Sequence, residues 1–213
     1  MEIKAPKSKC LLCNSEYTGK GMTKHIKSCL PKHLETKDLK KKVKPFYHVV
    51  VTVPYSPPLY WLQLKVSADA KLGDLDRFLR DIWLECCGHM SAFSIDREEV
   101  DMDETVGDVF KPGLELLHEY DFGSTTELIV KVIDRYEGPM PKGKKIEILA
   151  RNEAPEIPCS ECGVIPAVQI CTECMWDDKG WLCKACAKKH KCDEDMLLPV
   201  VNSPRTGVCG YTG

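Results

Sequence analysis

The sequence lacks several features that define common classes of protein. No apolar run approaches the roughly eighteen residues that a helix needs to cross a bilayer. The N-terminal residues are rich in lysine and no apolar stretch follows them, so a secretory signal is not expected. Asp121-Phe122-Gly123 is not accompanied by a Gly-rich loop or a His-Arg-Asp loop, which excludes a protein kinase. We therefore expect a cytoplasmic protein that does not associate with a membrane.

Cysteine, by contrast, is abundant, and its pattern indicates metal binding rather than disulfides. The 213 residues include 13 cysteines and 6 histidines. Thiols stay reduced in the cytoplasm, and an odd number of cysteines cannot form a closed set of disulfides. Twelve of these side chains stand at metal-ligand spacings, in numbers that suit three tetrahedral zinc ions.

The first group of ligands has the spacing of a C2HC zinc finger. It consists of Cys10, Cys13, His25 and Cys29. A tight Cys-x-x-Cys turn supplies two thiolates, and a helix supplies two further ligands one turn apart. A helix over residues 22–30 would place His25 and Cys29 on one face. Four ligands at this spacing favour a metal site over stray cysteines in a flexible arm.

The second group has eight members within residues 159–192. They are Cys159, Cys162, Cys171, Cys174, Cys183, Cys186, His190 and Cys192. In a cross-braced wiring, the first and third Cys-x-x-Cys pairs hold one ion, and the second pair holds another with the His/Cys pair. A sequential wiring would join the first two Cys-x-x-Cys pairs instead. The order loosely resembles the cross-braced B-box and ZZ modules, although the His190-x-Cys192 spacing departs from the B-box, and we favour the cross-brace.

Each of these three sites has four protein ligands and therefore keeps no open position for water. Closed sites are typical of structural zinc rather than hydrolytic zinc. We accordingly predict three structural zinc ions. No nucleophile, base and oxyanion set can be named, so an enzyme is less expected than a binding protein.

Three cysteines remain outside these sites. Cys86 lies on the apolar face of a predicted helix and is interpreted as a small core residue. The adjacent Cys87 is a candidate reactive thiol, but the sequence identifies no partner histidine, and the core interpretation is favoured. Cys209 is the third.

The charges are segregated along the chain. Residues 1–45 carry twelve lysines against four acidic side chains, and residues 46–150 carry eleven basic against nineteen acidic ones. The N-terminal basic arm can contact phosphates or an acidic partner, with a solvated arm as an equal alternative. It lacks the arginines and the multiple aromatics that read or stack on bases. The lysines near the last ligands are interpreted as counter-charges for zinc–thiolate sites; they are Lys184, Lys188, Lys189 and Lys191.

Residues 46–150 have the pattern of an α+β domain. Leu72, Leu75, Leu79 and Trp83 recur at helical spacing, and charged side chains occupy the other face. Strands are predicted over residues 46–53, 60–66, 92–95, 114–120, 127–133 and 144–149. The expected fold class is α+β: a mostly antiparallel sheet with one main amphipathic helix, plus small zinc-binding modules.

Several short motifs follow one another in a characteristic order over residues 46–135. They are Phe-Tyr-His-Val-Val-Val at 46–51, Pro-Pro-Leu-Tyr-Trp at 57–61, Ile-Trp-Leu at 82–84, His-Met-Ser-Ala-Phe at 89–93 and Tyr-Asp-Phe-Gly at 120–123. Together they resemble the plasmid pRiA4b open-reading-frame-three-like family, which includes proteins labelled TnpR from a mobile element. Leu62 and Ser124–Thr126 depart from the residues usual in that family. The resemblance implies an α+β domain whose biochemical role is not established.

The family also tends to close with a Gly-Gly-x-x-Gly-Tyr tail, which residues 205–211 resemble. The double-zinc module would then be inserted within the family domain. We expect the apolar run at residues 197–201 to lie on the α+β body, with Pro199 limiting it to an edge position or an extended crossover. The predicted division is 1–32 (finger), 33–45 (basic linker), 46–150 (α+β domain), 151–198 (double-zinc module) and 199–213 (tail packing back on the α+β domain).

A pocket in the body is a further hypothesis. His89 and Asp121 are its polar members, and Phe93 and Tyr120 would form its walls. Hydrogen-bonded histidines and a turn aspartate are the favoured alternative. The sequence as a whole predicts a zinc-binding adaptor or interaction protein with a protein partner. The alternative is a nucleic-acid-associated factor of a mobile element or defence system that binds through the basic arm.

Overall fold

The structure is a computed structural model that describes residues 5–35, 43–55 and 58–213. Four lysines of the predicted basic linker, and Pro57 of the family motif, lie outside the described residues; the lysines are Lys37, Lys40, Lys41 and Lys42. The helices are α1 (Gly19–Glu35), α2 (Leu72–Leu79), α3 (Val106–Val109) and α4 (Lys184–Ala187). A π-helical turn, Arg80–Leu84, continues α2.

Twelve strands are described. They are β1 (Lys7–Lys9), β2 (Glu16–Thr18), β3 (Val43–Thr52), β4 (Trp61–Ser67), β5 (Ser91–Ile95), β6 (Glu98–Val100), β7 (Glu115–Tyr120), β8 (Thr126–Pro139), β9 (Ile146–Arg151), β10 (Gln169–Cys171), β11 (Trp181–Leu182) and β12 (Leu197–Pro199). Strands β3 to β9 form one sheet in the order β6-β5-β7-β8-β3-β4-β9, and every neighbouring pair is antiparallel. The predicted α+β class, with a mostly antiparallel sheet and one main helix, is confirmed.

The predicted amphipathic helix is α2 with its π-helical extension. The carboxylate of Asp74, in the first turn, accepts a hydrogen bond from the backbone N–H of Lys71 at 2.8 Å, which satisfies one of the donors left open at a helix start. Leu72, Leu75, Leu79 and Trp83 are fully buried against one face of the sheet. This face is the main hydrophobic core.

The finger helix α1 covers the opposite face of the same sheet. Its apolar side chains Met22, Ile26 and Leu30 are buried together with Trp61 of β4 and Phe46 of β3. All seven residues of β4 are therefore buried, including the polar ones, because α2 and α1 cover both of its faces. Gly19 allows this close approach: a Cβ at that position would lie 3.1 Å from the Trp61 ring.

A chain of polar side chains crosses the interface between α1 and the sheet. The His48 Nε2 atom on β3 lies 2.7 Å from Gln63 Oε1 on β4. Gln63 Nε2 in turn donates to Thr23 Oγ1 on α1 at 2.8 Å. Because Oε1 can only accept, Nε2 of His48 must carry the proton in this arrangement. These two hydrogen bonds connect both strands to the finger helix.

The cysteine-rich segment forms a small three-stranded sheet of its own, in the order β11-β10-β12. Leu197 and Leu198, which we expected on the body, pair instead with Cys171 and Ile170 of β10, so that expectation is wrong. This third strand brings Leu197 against the module's few buried residues. Pro199 does lie on an edge strand, one of the two alternatives expected for it, but that edge belongs to the module's sheet and not to the body.

Residues 202–206 contact the α+β body. Ser203 Oγ donates to the backbone oxygen of Trp83 at 2.5 Å. The Asn152 side chain donates to Asn202 Oδ1, and the Asn202 side chain donates to the backbone carbonyl of Asn152, each at 2.8 Å. Arg205 is fully buried and donates to Asp121 Oδ2 at 2.5 Å. Among the described helices, none is long and apolar enough to cross a membrane.

Candidate metal centres

Four groups of cysteine and histidine side chains can each hold a metal ion. Within each group the ligand atoms all lie within 4.8 Å of one another. Tetrahedral zinc, with bonds of about 2.3 Å to sulfur and about 2.0 Å to nitrogen, places two sulfurs about 3.8 Å apart and a sulfur and a nitrogen about 3.5 Å apart. A group whose ligand atoms lie at about these separations therefore matches a tetrahedral zinc site.

The finger group is Cys10, Cys13, His25 and Cys29. Strands β1 and β2 flank the turn that carries the first two ligands, and α1, which contains the predicted helix, carries the other two. The backbone N–H of Asn14 donates to the Cys10 carbonyl at 2.7 Å, and Asn14 has a φ of 62°. This closes the Cys-x-x-Cys turn and brings Cys13 Sγ to 3.2 Å from His25 Nε2.

The thiols of the finger have different acidities. The Ser15 hydroxyl, 3.4 Å from Cys13 Sγ, can donate to a thiolate and lowers the pKa of Cys13 to about 6. Burial raises the pKa of Cys10, and burial also raises the pKa of Cys29 to about 12. A buried thiolate without a counter-charge is unfavourable, so these two cysteines need a bound cation to ionise at neutral pH.

In the cysteine-rich module, the first and third Cys-x-x-Cys pairs come together as Cys159, Cys162, Cys183 and Cys186. The backbone N–H of Ser160 donates to the Trp181 carbonyl at 2.6 Å, which fixes the first turn beside the strand that leads to Cys183. Cys162 Sγ and Cys183 Sγ are 4.0 Å apart. Burial opposes ionisation of Cys159, but backbone hydrogen bonds from Cys162 and Cys183 outweigh it and lower its pKa to about 6.

The other four ligands of the module, Cys171, Cys174, His190 and Cys192, form a second group. Cys174 Sγ lies 3.5 Å from His190 Nε2 and 3.6 Å from Cys192 Sγ, both close to the edges of a zinc tetrahedron. Burial raises the pKa of Cys171, but hydrogen bonds from the Cys174 backbone and His190 lower it to about 7. The eight side chains are thus grouped as in the cross-brace, and the sequential wiring does not match the structure.

No protein-family model matches the chain, and no curated protein matches it. Among solved structures, the chain is similar to the crystal structure of a protein of unknown function, MM3350, from Methanosarcina mazei Go1. The two share 17% sequence identity with a TM-score of 0.41, over 53% of this chain and 69% of that one.

The fourth group consists of Cys86, Cys87, His89 and Cys209, which sequence reasoning did not bring together. Cys86 does pack against the core, as predicted, but it is only half-buried and its sulfur lies 3.7 Å from that of Cys87. The partner histidine that the sequence did not identify is His89, whose Nε2 lies 3.0 Å from Cys87 Sγ. The Cys-Cys-x-His spacing was a usable signal, whereas Cys209 is too distant along the chain for spacing to suggest it.

The residues of the predicted pocket are divided between this group and the core. His89 lies against Tyr120, with ring centroids 5.7 Å apart, and its Nε2 is 3.5 Å from Asp121 Oδ2. Phe93 and Tyr120 are fully buried, and Phe93 packs on His118. His118 Nε2 is 2.8 Å from Asp76 Oδ1, so it is a hydrogen-bonded core histidine.

Asp121 has a φ of 64° at the turn before β8, and its Oδ1 accepts hydrogen bonds from the backbone of Gly123 and Ser124. The guanidinium of Arg205 is the main cause of the lowered pKa of Asp121. This residue therefore serves as a turn aspartate that also pairs with a buried arginine.

Proposed function

We propose that this chain is a zinc-dependent interaction protein in which zinc ions hold small modules in shape. The observation that carries the proposal is the grouping of twelve cysteine and histidine ligands into three complete sets of four. A four-ligand set leaves no coordination position for water or substrate, so the ions would act in folding and not in hydrolysis. Thiolate and imidazole ligands in a tetrahedral set favour Zn²⁺ among the common metals.

Burial supports a structural role for the metal. Each of the three sets contains at least one cysteine with at most 1% of its surface exposed: Cys10 in the finger, Cys159 and Cys183 in one set of the module, and Cys171 in the other. A sulfur in that position cannot be reached by a substrate, but it can anchor an ion against the hydrophobic residues around it. The module's buried cluster is small, which is the situation in which metal binding supplies much of the folding free energy.

The surface of the double-zinc module supports a protein partner. Nine large hydrophobic side chains are exposed in the described part of the chain, and four of them lie in residues 164–176: Val164, Ile165, Val168 and Trp176. Val164 and Trp176 are 80% and 77% exposed. Side chains of this kind favour contact with another apolar surface, and an exposed tryptophan often contributes strongly to such interfaces.

The α+β body remains assigned by resemblance. The order of its motifs supports membership of the pRiA4b-like family, with the double-zinc module as an insertion before the tail. In this proposal the body is the scaffold that carries the finger on one face of its sheet and the module beside its C-terminal tail.

The proposed function is tested by capturing partners from the native cell with wild-type protein and with Val164→Ser/Trp176→Ser. Both proteins are first compared by zinc content and circular dichroism, so that a folding defect is recognised. We expect the double variant to lose a partner that the wild type retains after nuclease treatment. A Leu11→Ser variant, which changes an exposed apolar residue on the finger, is the matched control and should keep that partner. Identical partner sets for all three proteins would refute contact through the module.

A second candidate function is nucleic-acid association, and one surface favours it. A cleft of about 640 Å³ lies where the N-terminal arm enters the sheet. Lys44 lines it together with Lys142, Lys144 and Lys145. Lys44 pairs with Asp69 and Lys145 with Asp74, whereas Lys142 and Lys144 are exposed to solvent. Clustered lysines bind phosphate groups without reading sequence.

A further inference from the structure

The fourth group lies at the junction between the α+β body and the C-terminal tail. Cys86, Cys87 and His89 follow the π-helical turn that ends α2, and Cys209 comes from the tail. We propose that these four side chains form a fourth zinc site, which ties the tail to the body. The inference goes beyond the proposed function, because the site is separate from the finger and from the double-zinc module.

The distances within the group match tetrahedral coordination. Cys87 Sγ lies 3.7 Å from both Cys86 Sγ and Cys209 Sγ. His89 Nε2 lies 3.0 Å from Cys87 Sγ and 3.3 Å from Cys209 Sγ. These separations are close to the edges of about 3.8 Å and about 3.5 Å that a Cys₃His zinc site requires. They are far from the sulfur–sulfur bond of about 2.0 Å in a disulfide, so the four residues are arranged as ligands.

The backbone around the first three ligands is shaped to present them together. Gly88 has a φ of 80°, which reverses the chain between Cys87 and His89. Its N–H donates to Glu85 Oε1 at 2.6 Å, and the same carboxylate oxygen accepts the hydroxyl of Tyr120 at 3.1 Å. Tyr120 is fully buried, so the turn is fastened to the core of the body.

The fourth ligand adopts a backbone conformation that its residue type disfavours. Cys209 has a φ of 51° and stands between two glycines with positive φ, Gly207 at 84° and Gly210 at 69°. Glycine adopts this region freely, but a side chain with a Cβ does so at a cost. A third glycine would suit the turn better, and a bound metal accounts for a cysteine there.

The surroundings also suit the charge of such a site. Three thiolates and one Zn²⁺ leave one negative charge. The guanidinium of Arg205 lies beside the group, with Nη2 3.5 Å from Cys86 Sγ. Arg205 comes from the same tail as Cys209 and is fully buried against the Tyr120 ring. Its hydrogen bond to Asp121 and its contact with Cys86 place positive charge where the thiolates need it.

The test compares the zinc content of full-length variants prepared in the same zinc-buffered solution. Wild-type protein should bind four zinc ions per chain by elemental analysis. Cys209→Gly and His89→Gln should each bind one ion fewer. Cys209→Gly is the sharper variant, because glycine relieves the backbone conformation at residue 209, so a larger loss of stability than a glycine causes at another positive-φ residue reports the loss of metal. We expect its thermal unfolding midpoint to fall below that of the wild type.

Two controls separate this inference from the proposed function. Arg97→Gly makes the same change at another exposed residue with positive φ, 73°, outside every ligand group, and should keep four ions. Cys10→Ser removes a finger ligand, so it should lose one ion whether or not the tail site exists. A wild type with three ions, and a Cys209→Gly variant with the same three ions and an equal or higher midpoint, would overturn the tail site while leaving the proposed function intact.

Discussion

Two buried cationic side chains, Lys65 and Arg205, connect segments that are distant in the sequence. Lys65 on β4 is 2% exposed, and its Nζ donates to the Pro139 carbonyl at 2.5 Å while lying over the Phe46 ring. Arg205 is fully buried and pairs with Asp121. A buried charge is unfavourable unless it is paired or hydrogen-bonded, so each of these contacts favours one arrangement of the segments around it.

The buried His48 gives a prediction about acid stability. Burial is the main cause that lowers the pKa of His48 to about 4, from an ordinary value near 6.5. The folded protein therefore keeps this side chain neutral while the unfolded chain takes up a proton, and stability falls as the pH drops through that window. The contribution amounts to about 2 kcal/mol between about pH 7 and about pH 5.

The measurement is the free energy of unfolding by denaturant at both pH values, for wild type and His48→Gln. A glutamine can still donate to Gln63 but does not titrate. Loss of zinc in acid affects both proteins and cancels in their difference. We expect the wild type to lose about 2 kcal/mol more than the variant on acidification. An equal loss in the two proteins would contradict a neutral buried His48.

At the scale of elements, the sequence predicts the sheet and α2 well because their residues carry local signals. Leu72, Leu75, Leu79 and Trp83 are spaced for one helical face, and all are buried there. The central strands are recognisable by their β-branched and aromatic residues. The burial of Gln63 and Lys65 on β4 could not be predicted from the sequence of that strand. Their face of the sheet is covered by the finger, which lies far from β4 along the chain.

The short elements could not be predicted, since contacts distant in the chain decide them. The residues of β12 looked like part of the body, yet they pair with β10 in the module. Cys209 lies 120 residues or more from its neighbours His89 and Cys87, so no spacing rule connects them. The other twelve ligands could be predicted because they occur in pairs a few residues apart in the sequence. A tetrahedral zinc site requires such short spacings between paired ligands.

The cross-brace makes a prediction for ligand variants. Cys183→Ser removes a ligand from the group that contains Cys159 and Cys162, so those two thiols should become reactive to an alkylating reagent. Cys171 and Cys174 should remain protected by their own ion. Alkylation followed by mass spectrometry of the peptides measures both.

Cys192→Ser is the matched variant and should give the reverse pattern, with Cys171 and Cys174 exposed and Cys159 protected. A sequential wiring would instead leave Cys159 to Cys174 protected as one set in both variants. That outcome would contradict the grouping in the structure.

At the scale of the whole molecule, charge is separated between the finger and the body. The exposed lysines of α1 are Lys20, Lys24, Lys27 and Lys32, and the body below them is acidic. In the described part of the chain, an ion pair joins the two oppositely charged parts, with Lys27 Nζ 3.7 Å from Asp134 Oδ2. Strand β3 begins at Val43 and Trp61 packs against the finger, so removing residues 1–45 would delete part of β3 and expose Trp61. Point variants are therefore the better test of the basic surface.

The cleft beside Lys44 predicts weak, sequence-independent binding to nucleic acid. Lys142→Gln/Lys144→Gln should weaken binding to all sequences alike. It should also reduce the slope of log affinity against log salt by roughly one for each phosphate that the variant no longer neutralises. Fluorescence anisotropy with a labelled single strand and a labelled duplex measures both quantities. Lys111→Gln/Lys179→Gln changes two exposed lysines elsewhere and should leave the slope unchanged. Equal slopes for both double variants would argue against this cleft as the site.

The central claim is that the cysteine groups are metal sites, and the mass of the intact folded chain tests it most directly. Native mass spectrometry of zinc-replete protein should give the mass of the reduced chain plus four zinc ions, less the two protons that each Zn²⁺ displaces. Denaturation in acid should return the reduced chain with no hydrogen atoms lost to disulfides. Three ions would remove the tail site alone. Fewer than three, or a chain lighter by two hydrogens for each disulfide formed, would contradict the account.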